Sequence, residues 1–94
     1  MLTSTTRFET PNASKYLQSL CKHFAHKVSV DYDDKAGKAD LPPGPATLQA
    51  DSAGLDIQVT GPDQEGLNRA KHIIEDHLLR FAFREEPEAL TWKE

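Results

Sequence analysis

Apolar positions recur with two different periods along this chain of 94 residues, and each change of period marks a change of element. Residues 3–9, TSTTRFE, alternate and are rich in β-branched Thr, which predicts a strand with Ser4, Thr6 and Phe8 on one face. Thr10-Pro11 reads as a helix N-cap followed by proline at the first helical position. In residues 12–25 the period lengthens: Ala13, Leu17, Leu20, Cys21 and Phe24 form the stripe of an amphipathic helix. Val28, Val30 and Tyr32 alternate again and predict a second strand, closed by the charged turn Asp33-Asp34-Lys35.

Residues 36–51 are punctuated by Gly37, Pro42, Pro43, Gly44 and Pro45. Alternation resumes by about Ala46 with Leu48 and Ala50, so this stretch is read as one interrupted strand. Ser52-Ala53-Gly54 is a turn, and Leu55, Ile57 and Val59 make the next strand. Gly61-Pro62-Asp63 announces a long helix, with Asp63 and Glu65 favourable at its positive end. Its stripe is Leu67, Ala70, Ile74, Leu78 and Phe81, ending near Phe83-Arg84. Pro87 breaks it, and Ala89 to Lys93 predict a final edge strand with Leu90 and Trp92 inward. The order β-α-β-β-β-α-β suits an α+β fold, a two-layer sandwich whose antiparallel sheet carries both helices on one face.

Composition narrows the function more than the fold. A chain of this length makes one small domain, too small for a large enzyme barrel. The net charge of −4 argues against a general nucleic-acid binder. One cysteine cannot close an internal disulfide, and the start MLTSTTRFET has no apolar signal-peptide core. With no run of apolar residues long enough to span a bilayer, a soluble, cytoplasmic protein is expected, without nucleic-acid or membrane partners.

Two clusters carry the candidate chemistry. CKHFAHK, Cys21 to Lys27, holds the only cysteine and two of the four histidines. On a helix, Cys21 falls near the centre of the apolar stripe, His23 about one-third of a turn away, and His26 nearly opposite. They diverge, so a self-contained zinc site is not expected, and Cys21 reads as a buried small hydrophobe. Lys22, His26 and Lys27 also complement the negative helix end. In the second cluster Ile73, His77, Arg80 and Arg84 line one shoulder of the second helix, whereas His72 faces solvent. Arginine and imidazole there suit a carboxylate or phosphate; the plainer role is pairing with Asp76, Glu85, Glu86 or Asp31.

TPNASKYLQSLCKHFAHK and DHLLRFAFREE together resemble the two most recognisable segments of a bacterial family known as domain of unknown function 2218. The resemblance runs from Thr5 to Trp92. The chain departs from the family pattern at GKADLPPGPA, poorer in apolar groups than usual, and has Phe24 where Trp is frequent. Some domains of this kind stand beside or are joined to siderophore-interacting flavin reductases, so the resemblance implies a link to iron handling by association. Some relatives carry an aldolase name, but that chemistry belongs to far larger barrels.

Whether the clusters meet depends on strand parity. With residues 36–50 as one strand the helices run parallel, and their C-terminal ends adjoin. His23 and His26 then approach His77, Arg80 and Arg84. With a separate strand at 38–41 the helices run antiparallel, and His23 is expected opposite Leu67, about 15 Å from His77. The first arrangement is preferred. The expectation is therefore a non-catalytic binding or accessory module, without a cofactor, whose ligand site is His23, His26, His77, Arg80 and Arg84. Its partner would be a small anion, an acidic siderophore group or a protein carboxylate. The alternatives are a small enzyme with histidine as general acid/base, a transition-metal site from Cys21, His23, His26 and His77, and a structural domain, monomeric or a homodimer.

Overall fold

The structure is a computed structural model that describes residues 1–85, 87 and 90–94. It has the α+β two-layer architecture that the sequence patterns predict. β1 (Leu2–Glu9), α1 (Ala13–Phe24), β2 (Val30–Tyr32), β3 (Ala36–Leu41), β4 (Gly44–Ala50), β5 (Gly54–Gly61) and α2 (Gln64–Phe81) follow in that order, and a short 3-10 turn spans Phe83–Glu85. The sheet order is β1-β5-β4-β3-β2, with every neighbouring pair antiparallel. α1 therefore carries the chain from one edge of the sheet to the other, and a meander returns it to β1.

The core lies between the helices and one sheet face. Leu17, Leu20, Cys21 and Phe24 of α1 and Leu67, Ala70, Ile74 and Leu78 of α2 are buried against Leu48, Leu55, Ile57 and Val59. Gly37 lets α1 approach closely: a Cβ there would stand 2.7 Å from Cys21 Sγ. The opposite sheet face is polar. Its Thr5, Arg7, Lys38, Thr47, Gln49, Asp56 and Gln58 are exposed, and Arg7 bridges Glu9, Asp51 and Asp56 at 2.8–3.1 Å. The Arg7 guanidinium, and then the backbone N–H groups of Ala53 and Gly54, hold the Asp51 carboxyl down at about 2.

Three expectations change. The segment read as one interrupted strand is two, β3 and β4, because its prolines sit where no ladder bond is asked of them. Pro42 and Pro43 occupy the turn between Leu41 and Gly44. Pro45 stands opposite Asp40, whose N–H instead donates to Ser29 O at 3.0 Å, and lies beyond the β4–β5 ladder that begins at Thr47. Second, α1 begins at Ala13 rather than at Pro11. Thr10 Oγ1 accepts the Asn12 N–H at 3.0 Å, so the hydroxyl closes the turn before the helix. Third, the expected last strand is a single bridge, Thr5 to Lys93, among the described residues; Ala89 lies outside them. That segment is still well fastened. Ser4 and Thr6 hydroxyls donate to Lys93 O and Thr91 O, and Glu75 accepts the Leu90 N–H at 3.0 Å. Leu90 and Trp92 pack on the core.

The extra strand also decides the helix pairing. Tyr16, early in α1, hydrogen-bonds Glu85, past the end of α2, and His23, late in α1, meets His77 within α2. The helices are thus antiparallel rather than parallel, although His23 near the end of α1 still lies 6.1 Å from Phe81, the last residue of α2, ring centre to ring centre. His23 does not face Leu67. α2 is the longer helix, with 18 residues against 12, and α1 lies beside its second half.

Glu85 ties the two elements together. Its carboxylate accepts from Thr10 Oγ1 at 2.8 Å, from Asn12 Nδ2 at 3.1 Å and from the Tyr16 hydroxyl, beside the positive N-terminal end of α1. The Tyr16 bond, then those of Thr10 and Asn12, hold Glu85 below its ordinary 4.5. Desolvation and the Glu85 charge push Tyr16 up.

The strand-to-helix corner at Gly61 is equally constrained. A Cβ there would lie 2.3 Å from the Leu67 backbone nitrogen, and Asp63 caps α2 by accepting the Gly66 N–H at 2.7 Å. In urea unfolding, Gly61→Ala is expected to cost about 3 kcal/mol by overpacking, and Asp63→Ala about 1 kcal/mol by loss of the cap. Equal costs would contradict the backbone clash. Glu85→Gln is expected to lose about 1 kcal/mol near neutral pH, after allowance for partial exposure. A depressed carboxyl stabilises the fold above its unfolded pKa and ceases to do so as pH falls through its folded one. The gap between native and Glu85→Gln should therefore stay constant down to about pH 4.5 and close below it; a gap that persists unchanged well below that pH would exclude the charged pair.

Candidate functional site

The candidate site is the seam between the end of α1 and the second half of α2. α1 places Phe24 inward and His23 one position around the helix, at the rim of the core. α2 places His77 one turn before Phe81, so both rings face the seam. The His23 and His77 ring centroids are 4.6 Å apart and tilted by 42°. Phe24 lies 5.3 Å from His77 and Phe81 6.1 Å from His23, both edge-on. Phe81, expected in the buried stripe, is 38% exposed; Ala82 takes the covered position instead.

His77 is held in one orientation. Its Nδ1 lies 2.6 Å from the Ile73 carbonyl oxygen one turn back. A carbonyl can only accept, so Nδ1 carries the proton and Nε2 of the neutral ring keeps its lone pair. His23 is exposed on its outer side. Desolvation by its ring neighbours, and then the charges of His77, His26, Lys27 and Arg80, lower it below its ordinary 6.5.

Four of the five residues proposed from the sequence share this electrostatic neighbourhood: His23, His77, His26 and Arg80. Arg84 stands apart, beside Glu85 at the opposite end of α1, with its guanidinium 5.7 Å from the Phe83 ring centre. Arg80 pairs with Asp76 at 3.4 Å, one turn away, and its side chain is 73% exposed. Such a pair contributes little, so the guanidinium stays open to a second partner. Lys27 belongs to the same neighbourhood, although the sequence marked it only as a helix-end charge. Phe24 and Phe81 were legible as apolar stripe positions but not as the rings that frame two imidazoles.

Cys21 takes no part. It is fully buried, and desolvation pushes its thiol up to about 11, which keeps it protonated and unreactive. Among the described residues no three His, Cys, Asp or Glu side chains converge as a metal site would require. Elsewhere, the open sheet face forms a shallow cleft of about 990 Å³ between Arg7, Asp56, Lys38 and Asp31, a feature that periodicity alone could not reveal. Its charges balance, and Arg7 is already engaged by three carboxylates.

The fold is that of small two-layer α+β domains, and in this chain an imidazole pair lies between the antiparallel helices. The chain belongs to the family described as "Uncharacterized protein conserved in bacteria (DUF2218)", which it matches over residues 5–93. The NMR structure of PA4090 from Pseudomonas aeruginosa is similar at a TM-score of 0.82 and 30% identity, over 99% of this chain and 96% of that one. A stretch of 64 residues, 68% of this chain, is 31% identical to part of the Brefeldin A-inhibited guanine nucleotide-exchange protein 3 of Mus musculus. This chain spans 3% of that protein's length. Among the described residues no helix is long and apolar enough to cross a membrane.

A histidine whose pKa is lowered by folding makes stability fall as pH drops from its unfolded value towards its folded one. Native protein is therefore expected to lose stability on acidification just below about pH 6.5, before the carboxylates titrate. His23→Gln should flatten that first phase in urea titrations at several pH values. An unchanged slope would show that the imidazole pair carries no repulsion.

Proposed function

We propose that this domain is a non-catalytic binding or accessory module whose ligand is a small oxyanion or the acidic group of a partner. The observation that carries this reading is the seam itself. On a chain of net charge −4, His23, His26, His77, Lys27 and Arg80 collect at one place, with Asp76 as the acidic side chain that pairs there. The negative C-terminal ends of the helices offset part of that positive charge, and a bound anion would offset more of it. Arg80 supplies a planar two-point donor, and the imidazoles supply donors once protonated. Arg84, at the opposite end of α1, is left out of this site. Acidic groups of iron chelators belong to this ligand class, the link that the family resemblance suggests.

A general acid/base enzyme has one supporting observation, the fixed tautomer of His77 with a free Nε2. Cys21, the one thiol, is sealed in the core and is not available to that base as a nucleophile. A metal at the pair is opposed by the positive charge of Arg80 and Lys27.

Two-dimensional NMR titration with phosphate and citrate tests the binding reading. Resonances of His23, His77 and Arg80 are expected to move with saturation, and Arg80→Gln to weaken binding by about two- to fivefold, as for one exposed ion contact. Shifts absent from the seam with both anions would reject it.

A further inference from the structure

The seam places two imidazoles ring against ring, and the groups around them are nearly all of one sign. On the α1 side, Lys22 precedes His23 in the chain, and His26 and Lys27 follow the helix end. On the α2 side stand His77, Asp76 and Arg80, with Asp76 turned to Arg80 at 3.4 Å. Phe24 and Phe81, which flank the pair edge-on, are apolar rings that offer no charge. His77 cannot turn its Nδ1 proton toward a ligand without breaking its bond to Ile73 O. The exposed ring, His23, has no such restraint among the hydrogen bonds of the described residues.

We infer that the seam binds oxyanions carrying two negative charges, and that each binding event brings one proton from solvent onto His23. This rests on the anion reading above and deepens it by naming ligand charge and pH control. A neutral His23 can give a ligand one N–H; a protonated one gives an N–H from either ring nitrogen and a charge-assisted bond, and its positive charge stands beside those of Arg80 and Lys27. Without a ligand that charge is resisted by its neighbours. A monoanion offsets only one of the cations, whereas a dianion at the centre offsets His23 as well as Arg80. The lowered protonation of the free His23 ring agrees with this, since it leaves that ring ready to take up the proton when an anion binds. The affinity therefore rises as pH falls through the range in which histidine titrates.

Sulfate is a suitable probe, because it stays doubly charged throughout that range, and chloride is the singly charged control. Calorimetry of the intact protein in two buffers of different ionisation enthalpy counts the protons taken up. Between about pH 7.5 and pH 5.5, sulfate affinity is expected to rise by up to about tenfold for each unit by which bound sulfate raises His23. Proton uptake should approach about one per sulfate near the middle of that range. His23→Gln should abolish the uptake and flatten the pH profile while keeping weak binding through Arg80; His72→Gln, on another face of α2, should change neither. Binding that is independent of pH without proton uptake, or uptake that survives in His23→Gln, would overturn this inference and leave the anion site standing. Absence of sulfate binding at every pH, or chloride binding as tightly, would overturn the inference; the former would remove the anion reading as well.

Discussion

The pairing of β1 with β5 is the constraint on which the rest of the structure depends. It joins the first strand of the chain to the last over eight residues, from Leu2 opposite Gly61 to Glu9 opposite Gly54. Until it forms, β1 has no other strand to pair with, and α1 has no fixed position relative to α2. The strand contributes little apolar surface of its own, for two of its inward side chains are Ser4 and Thr6. Buried hydroxyls are costly unless bonded. The C-terminal segment resolves this by offering Thr91 and Lys93 carbonyls to them, and α2 steadies that segment through Glu75. The edge of the sheet is thereby blunted as well.

The second constraint is the offset of the helices. α1 and α2 run antiparallel, and their pairing is anchored at one end by Glu85, which gathers Thr10, Asn12 and Tyr16. The same offset sets His23 against His77 at the other end. One end thus places a carboxylate where donors and a helix N-terminus favour it, and the other brings imidazoles and cations together. The first is a stabilising arrangement. The second is tolerated because it lies at the solvent edge, where water screens the charges, and it is the feature from which the functional reading grows.

The sequence by itself determined what depends on near neighbours. The 3.6-residue stripe of Ala13, Leu17, Leu20, Cys21 and Phe24 and the alternation of Leu55, Ile57 and Val59 appear in the structure as buried faces, because side-chain direction follows backbone period. Asp63 was legible as a favourable charge at the start of α2, where the structure makes it the cap, and the two candidate clusters as chemistry, from residue type alone. The broken stretch GKADLPPGPA hid a strand, since a proline's effect depends on which partner its nitrogen would have faced. That hidden strand reversed the relative direction of the helices, yet the clusters still met because α1 lies beside the second half of α2. Which residues of α1 face which residues of α2 is a matter of long-range register, set by the β1–β5 ladder and the Glu85 contacts, and no local pattern encodes it. The tertiary structure alone therefore decided that His23, His77 and Arg80 form one seam while Arg84 stands at the opposite end.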